Sequence, residues 1–318
     1  MNSPLFCFLI LLNLLFIPNY FAQFSPSFRE FLKDEGGQEL EKLLTREDLG
    51  AKGSYGGGNH KAGEKTKRLP VILVHGITAS AGGMEPTRKY FKNKGYGDQE
   101  IFATTYGDAG KTKFFNVRIK CQFVKMIRLL IQAVSKFTSN KVNINSNSLG
   151  TVISRKAILG GKCVDTKEDL GPPLTDLVHT YVGVAGPHWG AILCLVPIGP
   201  CNFNNGVNCL SDFLRDINIR QRYEGTFIYS ICSTDDEVVG FDVCGRITCM
   251  IEGENGHFPS CTPNPFPNDF FTILPDPNNS AKQLENPVIG MKHLEVISNT
   301  IELQYNLITF QQIEGHDE

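Results

Sequence analysis

The chain of 318 residues has one tryptophan and five methionines, and no surplus of either charge: 31 Lys and Arg stand against 33 Asp and Glu. That balance supplies neither a basic stripe for phosphate backbones nor a strongly acidic solvating tail, so nucleic acid is not an expected partner. Past the N-terminus no apolar run reaches the roughly 20 residues that a bilayer span requires, and no transmembrane anchor is expected. There is no internal repeat and no C-x₂-C pair, which disfavours zinc as the use of the cysteines, and no metal is expected. What is present in excess is ten cysteines, 31 glycines and 17 prolines in an otherwise ordinary globular composition. Thiols at this density point to a disulfide-forming compartment.

Residues 5–17 are almost wholly apolar, Pro18-Asn19 breaks the run, and Ala22 offers a small residue at a cleavage position. This pattern reads as a signal peptide over 1–22 and a secreted mature chain. Removing Cys7 with it leaves Cys121, Cys163, Cys194, Cys201, Cys209, Cys232, Cys244, Cys249 and Cys261, an odd number that cannot all pair. Cys194, Cys201, Cys209, Cys244, Cys249 and Cys261 are the expected bridge formers. Cys232, at the end of an apolar run, is the expected buried free thiol.

Residues 23–69, polar and rich in glycine, read as an N-terminal arm outside the core, and 311–318 as a polar tail. Between them, 70–310 forms one domain. Short β-branched apolar runs at 71–74, 101–106, 142–145, 180–185, 227–232 and 288–291 have the continuous character of strands buried on both faces. Helical patterns alternate with them. The segment 85–95 has Pro86 in its first turn and Gly95 at its exit. The segment 119–137 carries Ile119, Phe123, Met126, Ile127, Leu130, Ile131, Val134 and Phe137 at helical steps, with Lys120, Lys125 and Arg128 off the apolar face. Strand-helix alternation predicts a doubly wound, mostly parallel α/β sheet. Two proline-rich stretches, 187–210 and 253–286, read as disulfide-stapled loop insertions. The second contains the sequon Asn278-Asn279-Ser280, which marks Asn278 as a glycosylation site on an exposed loop.

The chemistry centres on Asn145-Ser146-Asn147-Ser148-Leu149-Gly150, where a strand runs into a helix through a tight turn. Such a turn lifts a serine above the sheet edge and aims the next backbone N–H at developing negative charge. Ser148 is the nucleophile candidate, although Ser146 stands where the pattern has glycine. A second oxyanion donor is expected from the backbone of Ile77, after His75-Gly76, alongside that of Leu149. The His75 ring is read as a brace for that loop. An acid and a base must follow in that order. Asp235, just past the run 227–232, is the preferred acid with Asp236 as rival. His293, between an apolar run and the helical segment 294–308, is preferred as base over His257, which sits in the proline-rich insertion.

These residues resemble the class 2 lipases, secreted α/β hydrolases that include small bacterial lipases and are expanded in nematodes. The resemblance is carried by Pro70-Val71-Ile72-Leu73-Val74-His75-Gly76, Thr104-Thr105-Tyr106-Gly107, Ser154-Arg155-Lys156-Ala157-Ile158, Gly183-Val184-Ala185-Gly186 and the segments 233–238 and 293–304. It implies the α/β-hydrolase fold, a carboxylester or triacylglycerol substrate, no cofactor and, from the many cysteines, the nematode-type branch. Asn147 departs from the aromatic or histidine usual before the serine. Two functions are therefore compared: an active secreted lipase or esterase working through Ser148, Asp235 and His293, and a lipid-binding protein on a decayed lipase scaffold. The segment 187–210 reads either as a lid or acyl-binding rim in transient contact with a lipid-water interface, or as a stapled loop on the sheet edge. The second is favoured.

Overall fold

The computed structural model describes residues 23–258 and 290–314. The expected leader over 1–22, the sequon at Asn278, Cys261 and most of the second insertion lie outside these residues.

The chain first forms α1 (Pro26–Thr45), opened by the Ser25 side chain accepting from the Phe28 N–H and kinked at Gly36 and Gly37. A two-residue strand, β1 (Ser54–Tyr55), follows. Then β2 (Val71–Val74), α2 (Glu85–Asn93), β3 (Ile101–Thr104), α3 (Cys121–Thr138), β4 (Val142–Asn147), α4 (Leu149–Leu159) and β5 (Val178–Val184) alternate as the apolar runs predict. After the cysteine-rich loop come α5 (Asp212–Ile217), β6 (Phe227–Ile231), the short hairpin β7 (Asp242–Val243) and β8 (Arg246–Ile247), and β9 (Gly256–Phe258). The helices α6 (His293–Asn299) and α7 (Ile301–Glu314) close the chain, so the single helical segment expected over 294–308 is broken at Thr300.

Seven strands make one sheet in the order β1-β3-β2-β4-β5-β6-β9. Only the β1–β3 pair is antiparallel. The doubly wound, mostly parallel sheet is therefore present. Alternation along β2 shows why its strand is apolar throughout: Ile72 and Val74 enter the core on one face and Val71 and Leu73 the core on the other. The first face is covered by α1, α3 and α4, the second by α2 and α7. In register, Val74 lies opposite Ser146 and Val184 opposite Asn147, so β2, β4 and β5 end along one carboxyl edge. Ligand sites in open α/β sheets lie on that edge.

Several expectations are corrected. The stretch 23–69 is not a peripheral arm. Phe24, Phe28, Phe31 and Leu32 recur at helical steps and are buried, and the Phe28 ring packs 4.8 Å from Phe137 and 5.1 Å from Phe102. Charged residues interleaved with these aromatics masked the pattern in the composition. Arg128 is buried rather than off the apolar face, with Nη1 donating to the Ala157 carbonyl at 2.9 Å and Nη2 to that of Pro172 at 2.6 Å. Gly290 and Met291, the described end of the expected last strand, are not extended. The sheet edge is filled instead by β9, drawn from the second insertion.

Cys232 is not a free thiol: it is bonded to Cys249, because the β7–β8 hairpin folds back over the end of β6. Cys121–Cys163, a pair not expected from the sequence, ties the start of α3 to the loop after α4. Cys194–Cys201 and Cys209–Cys244 staple the loop 187–210, as anticipated for that insertion.

If 23–45 is core, Phe28→Ala should lower the unfolding free energy by about 3–5 kcal/mol. Urea denaturation checks this, and a change within about 0.5 kcal/mol, as for a surface residue, would restore the peripheral reading.

Candidate active site

β4 turns into α4 through a single residue, Ser148, at φ 51° and ψ −127°. A non-glycine residue rarely occupies positive φ, and strain of this kind persists only where its surroundings impose it. Here they do. The Ser148 N–H donates to the Val184 carbonyl at 2.8 Å, and the Ser148 carbonyl accepts from the Thr151 N–H at 3.0 Å and from its hydroxyl at 2.7 Å. Gly150 lets the end of β2 press against the new helix, since a Cβ there would collide with the His75 carbonyl oxygen. Gly76 does the same from the other side, where a Cβ would meet that of Ser148 at 3.1 Å.

Ser146 is accommodated without a glycine because its hydroxyl has a partner. It donates to the Tyr181 hydroxyl at 3.0 Å, and Tyr181 donates to the Thr151 carbonyl at 2.8 Å. Its neighbours in the strand are also held: Asn147 Nδ2 lies 3.4 Å from the Met84 sulfur, and Asn145 Nδ2 donates to Gln304 at 2.8 Å.

Ser148 Oγ lies 3.1 Å from Nε2 of His293, and Nδ1 of His293 lies 2.8 Å from Oδ2 of Asp236. All three residues are buried. With the Nδ1 proton directed at the carboxylate, the Nε2 lone pair faces the serine hydroxyl. His293 opens α6, and its backbone N–H donates to Glu237 at 3.0 Å, which fixes the start of that helix to the acid loop. Burial disfavours the charge on Asp236. The hydrogen bond from His293 and those from the Val238 and Val239 N–H groups, at 2.9 and 2.8 Å, outweigh it and hold this carboxyl below its ordinary value.

Asp235, the acid preferred from the sequence, is exposed and its backbone N–H is turned to the Ser233 hydroxyl, so the structure replaces it with Asp236. The physical reason is the turn after β6. Asp236 is the residue whose carboxylate can cap the N–H groups two and three positions on, and this Asx geometry points its other oxygen inward. His257 stands on the edge strand β9, with Nδ1 3.3 Å from Glu254, and takes no part in the cluster. Of the expected oxyanion donors, Leu149 adjoins Ser148 in the chain, and Ile77 follows Gly76, which packs against Ser148. Leu149 is the first residue of α4, where the N–H has no acceptor a turn earlier.

The His75 ring does brace its loop. It stacks on Tyr106 with centroids 4.1 Å apart, and Nδ1 donates to the Gly76 carbonyl at 2.7 Å, while the Tyr106 hydroxyl donates to the His75 carbonyl at 2.7 Å. Burial lowers its pKa to about 4, so the ring is neutral. His75, Ile77 and Leu149 line a cleft of about 670 Å³ together with Tyr106, Phe123 and Met126 and with the charged Arg46, Asp108 and Lys120. Among the described residues the one grouping of metal-ligand types is Cys121, Cys163 and Asp165, and those two sulfurs are bonded to each other. No helix among the described residues is long and apolar enough to cross a membrane.

Known proteins resemble this chain at several levels. A family model described as Lipase (class 2) matches residues 68–262. No curated protein matches the chain. Among solved structures, Bacillus licheniformis lipase BlEst2 in its mature form is 13% identical, with a TM-score of 0.48, over 80% of this chain and 97% of that one. Aspergillus fumigatus lipase B is 17% identical with a TM-score of 0.45, over 65% of this chain and 48% of that one. This chain thus spans about half the length of the Aspergillus protein. Paleococcus ferrophilus monoacylglycerol lipase is 11% identical with a TM-score of 0.45, over 77% of this chain and 96% of that one.

The depressed pKa of His75 has a consequence for stability. The unfolded chain protonates this ring near its ordinary 6.5 and the folded chain only near 4, so its contribution is full above pH 6.5 and is lost as pH falls toward 4. On account of this ring, stability at pH 5 should be lower than at pH 7.5 by about 2 kcal/mol. Denaturant unfolding at the two pH values, with His75→Gln as the variant that flattens this slope, is the check; an unchanged slope in the variant would count against it.

Proposed function

The chain belongs to the class 2 lipase family, and on that premise we propose that it is a secreted serine hydrolase cleaving carboxylic ester bonds of lipids through an acyl-enzyme on Ser148. The observation that carries this reading is the buried chain of contacts from Ser148 Oγ through His293 to Asp236, at 3.1 and 2.8 Å. A serine hydroxyl is a weak nucleophile until a base stands within hydrogen-bond reach. In this mechanism His293 Nε2 takes the Ser148 proton as Oγ attacks the ester carbonyl, and the imidazolium then protonates the departing alkoxide. A water molecule repeats the sequence on the acyl-enzyme and frees the acid. Asp236 keeps the ring in the tautomer that exposes Nε2 and stabilises its cation.

The backbone N–H groups of Ile77 and Leu149 receive the oxyanion in this reading, each worth about 2.7–4 kcal/mol in the transition state. The cleft they line also holds Leu43, Tyr106, Phe123 and Met126, apolar surface that suits an acyl chain. Secretion is supported by four disulfides among the described residues and by the apolar run 5–17, and the sequon nominates Asn278 for a glycan. The alternative of a decayed, lipid-binding scaffold drew on the departures at Ser146 and Asn147. Neither displaces Ser148 from His293, which favours the active reading over that alternative.

Three variants test the roles. On p-nitrophenyl esters or emulsified triacylglycerol, Ser148→Ala should lower kcat by on the order of 10⁶-fold and Asp236→Asn by on the order of 10⁴-fold, whereas Asp235→Asn should leave it within a few-fold. Labelling of the wild type by a fluorophosphonate probe, absent in Ser148→Ala, should accompany this. Wild-type protein that neither labels nor turns over any ester would end the proposal.

A further inference from the structure

The segment 111–120, Lys-Thr-Lys-Phe-Phe-Asn-Val-Arg-Ile-Lys, carries four cations and no carboxylate. Lys111, Lys113, Arg118 and Lys120 are all at least partly exposed. Between them Phe115 is 68% exposed, an unusual position for a phenylalanine. It does not stand alone. The stapled loop presents Ile192, Leu193, Val196, Ile198 and Phe203, each between 42% and 60% exposed.

The two segments form one surface. Gly199, at φ +59°, approaches the Phe115 backbone so closely that a Cβ would strike its carbonyl oxygen, and the Asn205 side chain donates to the Ile119 carbonyl. This surface also adjoins the candidate site from two sides. Asn116, Val117, Arg118 and Lys120 line the same cleft as Ile77 and Leu149. On the other side, the Ile192 N–H donates to Val239 at 2.8 Å and the Leu193 N–H to Val238 at 3.4 Å, the same residues whose N–H groups hold Asp236. Nearby carboxylates are held elsewhere in part: Asp212 faces Arg215 at 3.1 Å, Asp48, on which Lys111 also acts, pairs with Arg46 at 2.8 Å, and Asp108 and Asp165 accept from Thr112 and from the Cys121 N–H.

Contiguous exposed apolar side chains mark an interaction surface, and the four exposed cations beside them select its partner. We infer that this surface docks on an anionic lipid surface. Phe115 and the apolar side chains of the stapled loop enter the interfacial layer, the four cations face the headgroups, and the mouth of the cleft turns toward the lipid. Such docking goes beyond ester hydrolysis, because a neutral fat droplet would reward the apolar residues and give the cations nothing to meet.

The test is partition of the full-length Ser148→Ala protein, which leaves the lipid unconsumed, onto vesicles of phosphatidylcholine with and without phosphatidylserine. Binding should be stronger to the anionic vesicles and weaken as salt is raised. The double variant Lys111→Gln/Lys113→Gln should lose about five-fold in anionic partition per charge removed. Phe115→Ser should lose roughly ten-fold or more on either vesicle. These side chains lie outside the cleft wall, so in protein that retains Ser148 both variants should keep wild-type turnover of a soluble short-chain ester and wild-type thermal melting. Equal binding to neutral and anionic vesicles, or no binding to either, would overturn the inference. So would a dimer that Phe115→Ser dissociates in the absence of lipid, which would make a second copy the occupant. The partition measurement involves no turnover and so stands apart from the ester chemistry.

Discussion

The structure depends on one turn that the backbone resists. The central strand must become a helix within a single residue, and Ser148 accepts a positive φ to do it. The conformation is held from three directions: by β5 through Val184, by the first turn of α4 through Thr151, and by the end of β2 through the close approach of His75 and Gly76 to Gly150 and Ser148. Each constraint needs a small residue or an extended neighbour at a fixed place. That is why the two glycines lie where they do, and why β2, β4 and β5 must end in step.

Beneath this turn the interior is polar to an uncommon degree, and its polar groups are joined. Ser146, Ser154 and Thr151 meet at the Tyr181 hydroxyl. One turn further along α4, the buried Arg155 donates to Glu224 at 2.8 Å, to Asn218 at 2.9 Å and to the Ile217 carbonyl at 3.1 Å. Asn218 in turn donates to the His188 carbonyl at 2.7 Å. A buried ion pair adds little net stability but is costly to break, so its effect is to fix which arrangement the elements adopt. Here it fixes α4, the helix that follows Ser148, against α5 and the start of the stapled loop.

The sequence was most legible where one residue's environment is set locally. Continuous apolar runs marked β2 to β6 and the strand-turn-helix context marked Ser148 without long-range information, whereas His293 was marked only by the helical pattern that follows it, since Gly290 and Met291 form no strand. The choice between Asp235 and Asp236 was not local. It depends on which carboxylate can cap Val238 and Val239 while facing a ring 57 positions away in the chain. The Cys232–Cys249 pair likewise depends on how the β7–β8 hairpin folds back, and the role of β9 on a strand of three residues with no periodicity to read. Phe24, Phe28 and Phe31 were readable in principle. Their helical spacing was present, but the polar composition around them outweighed it.

The covalent graph of the chain has a further implication. The bridges Cys209–Cys244 and Cys232–Cys249 are interleaved, so each has one foot inside the ring that the other closes. Pairing by shortest separation along the chain cannot produce that pattern, because Cys244 and Cys249 both lie within reach of Cys232 while the chain is still unfolded. Correct oxidation therefore requires that β6 and the β7–β8 hairpin already be placed. The loop that carries Asp236 lies between Cys232 and Cys244, one foot of each bridge, so both interleaved bridges tie it down.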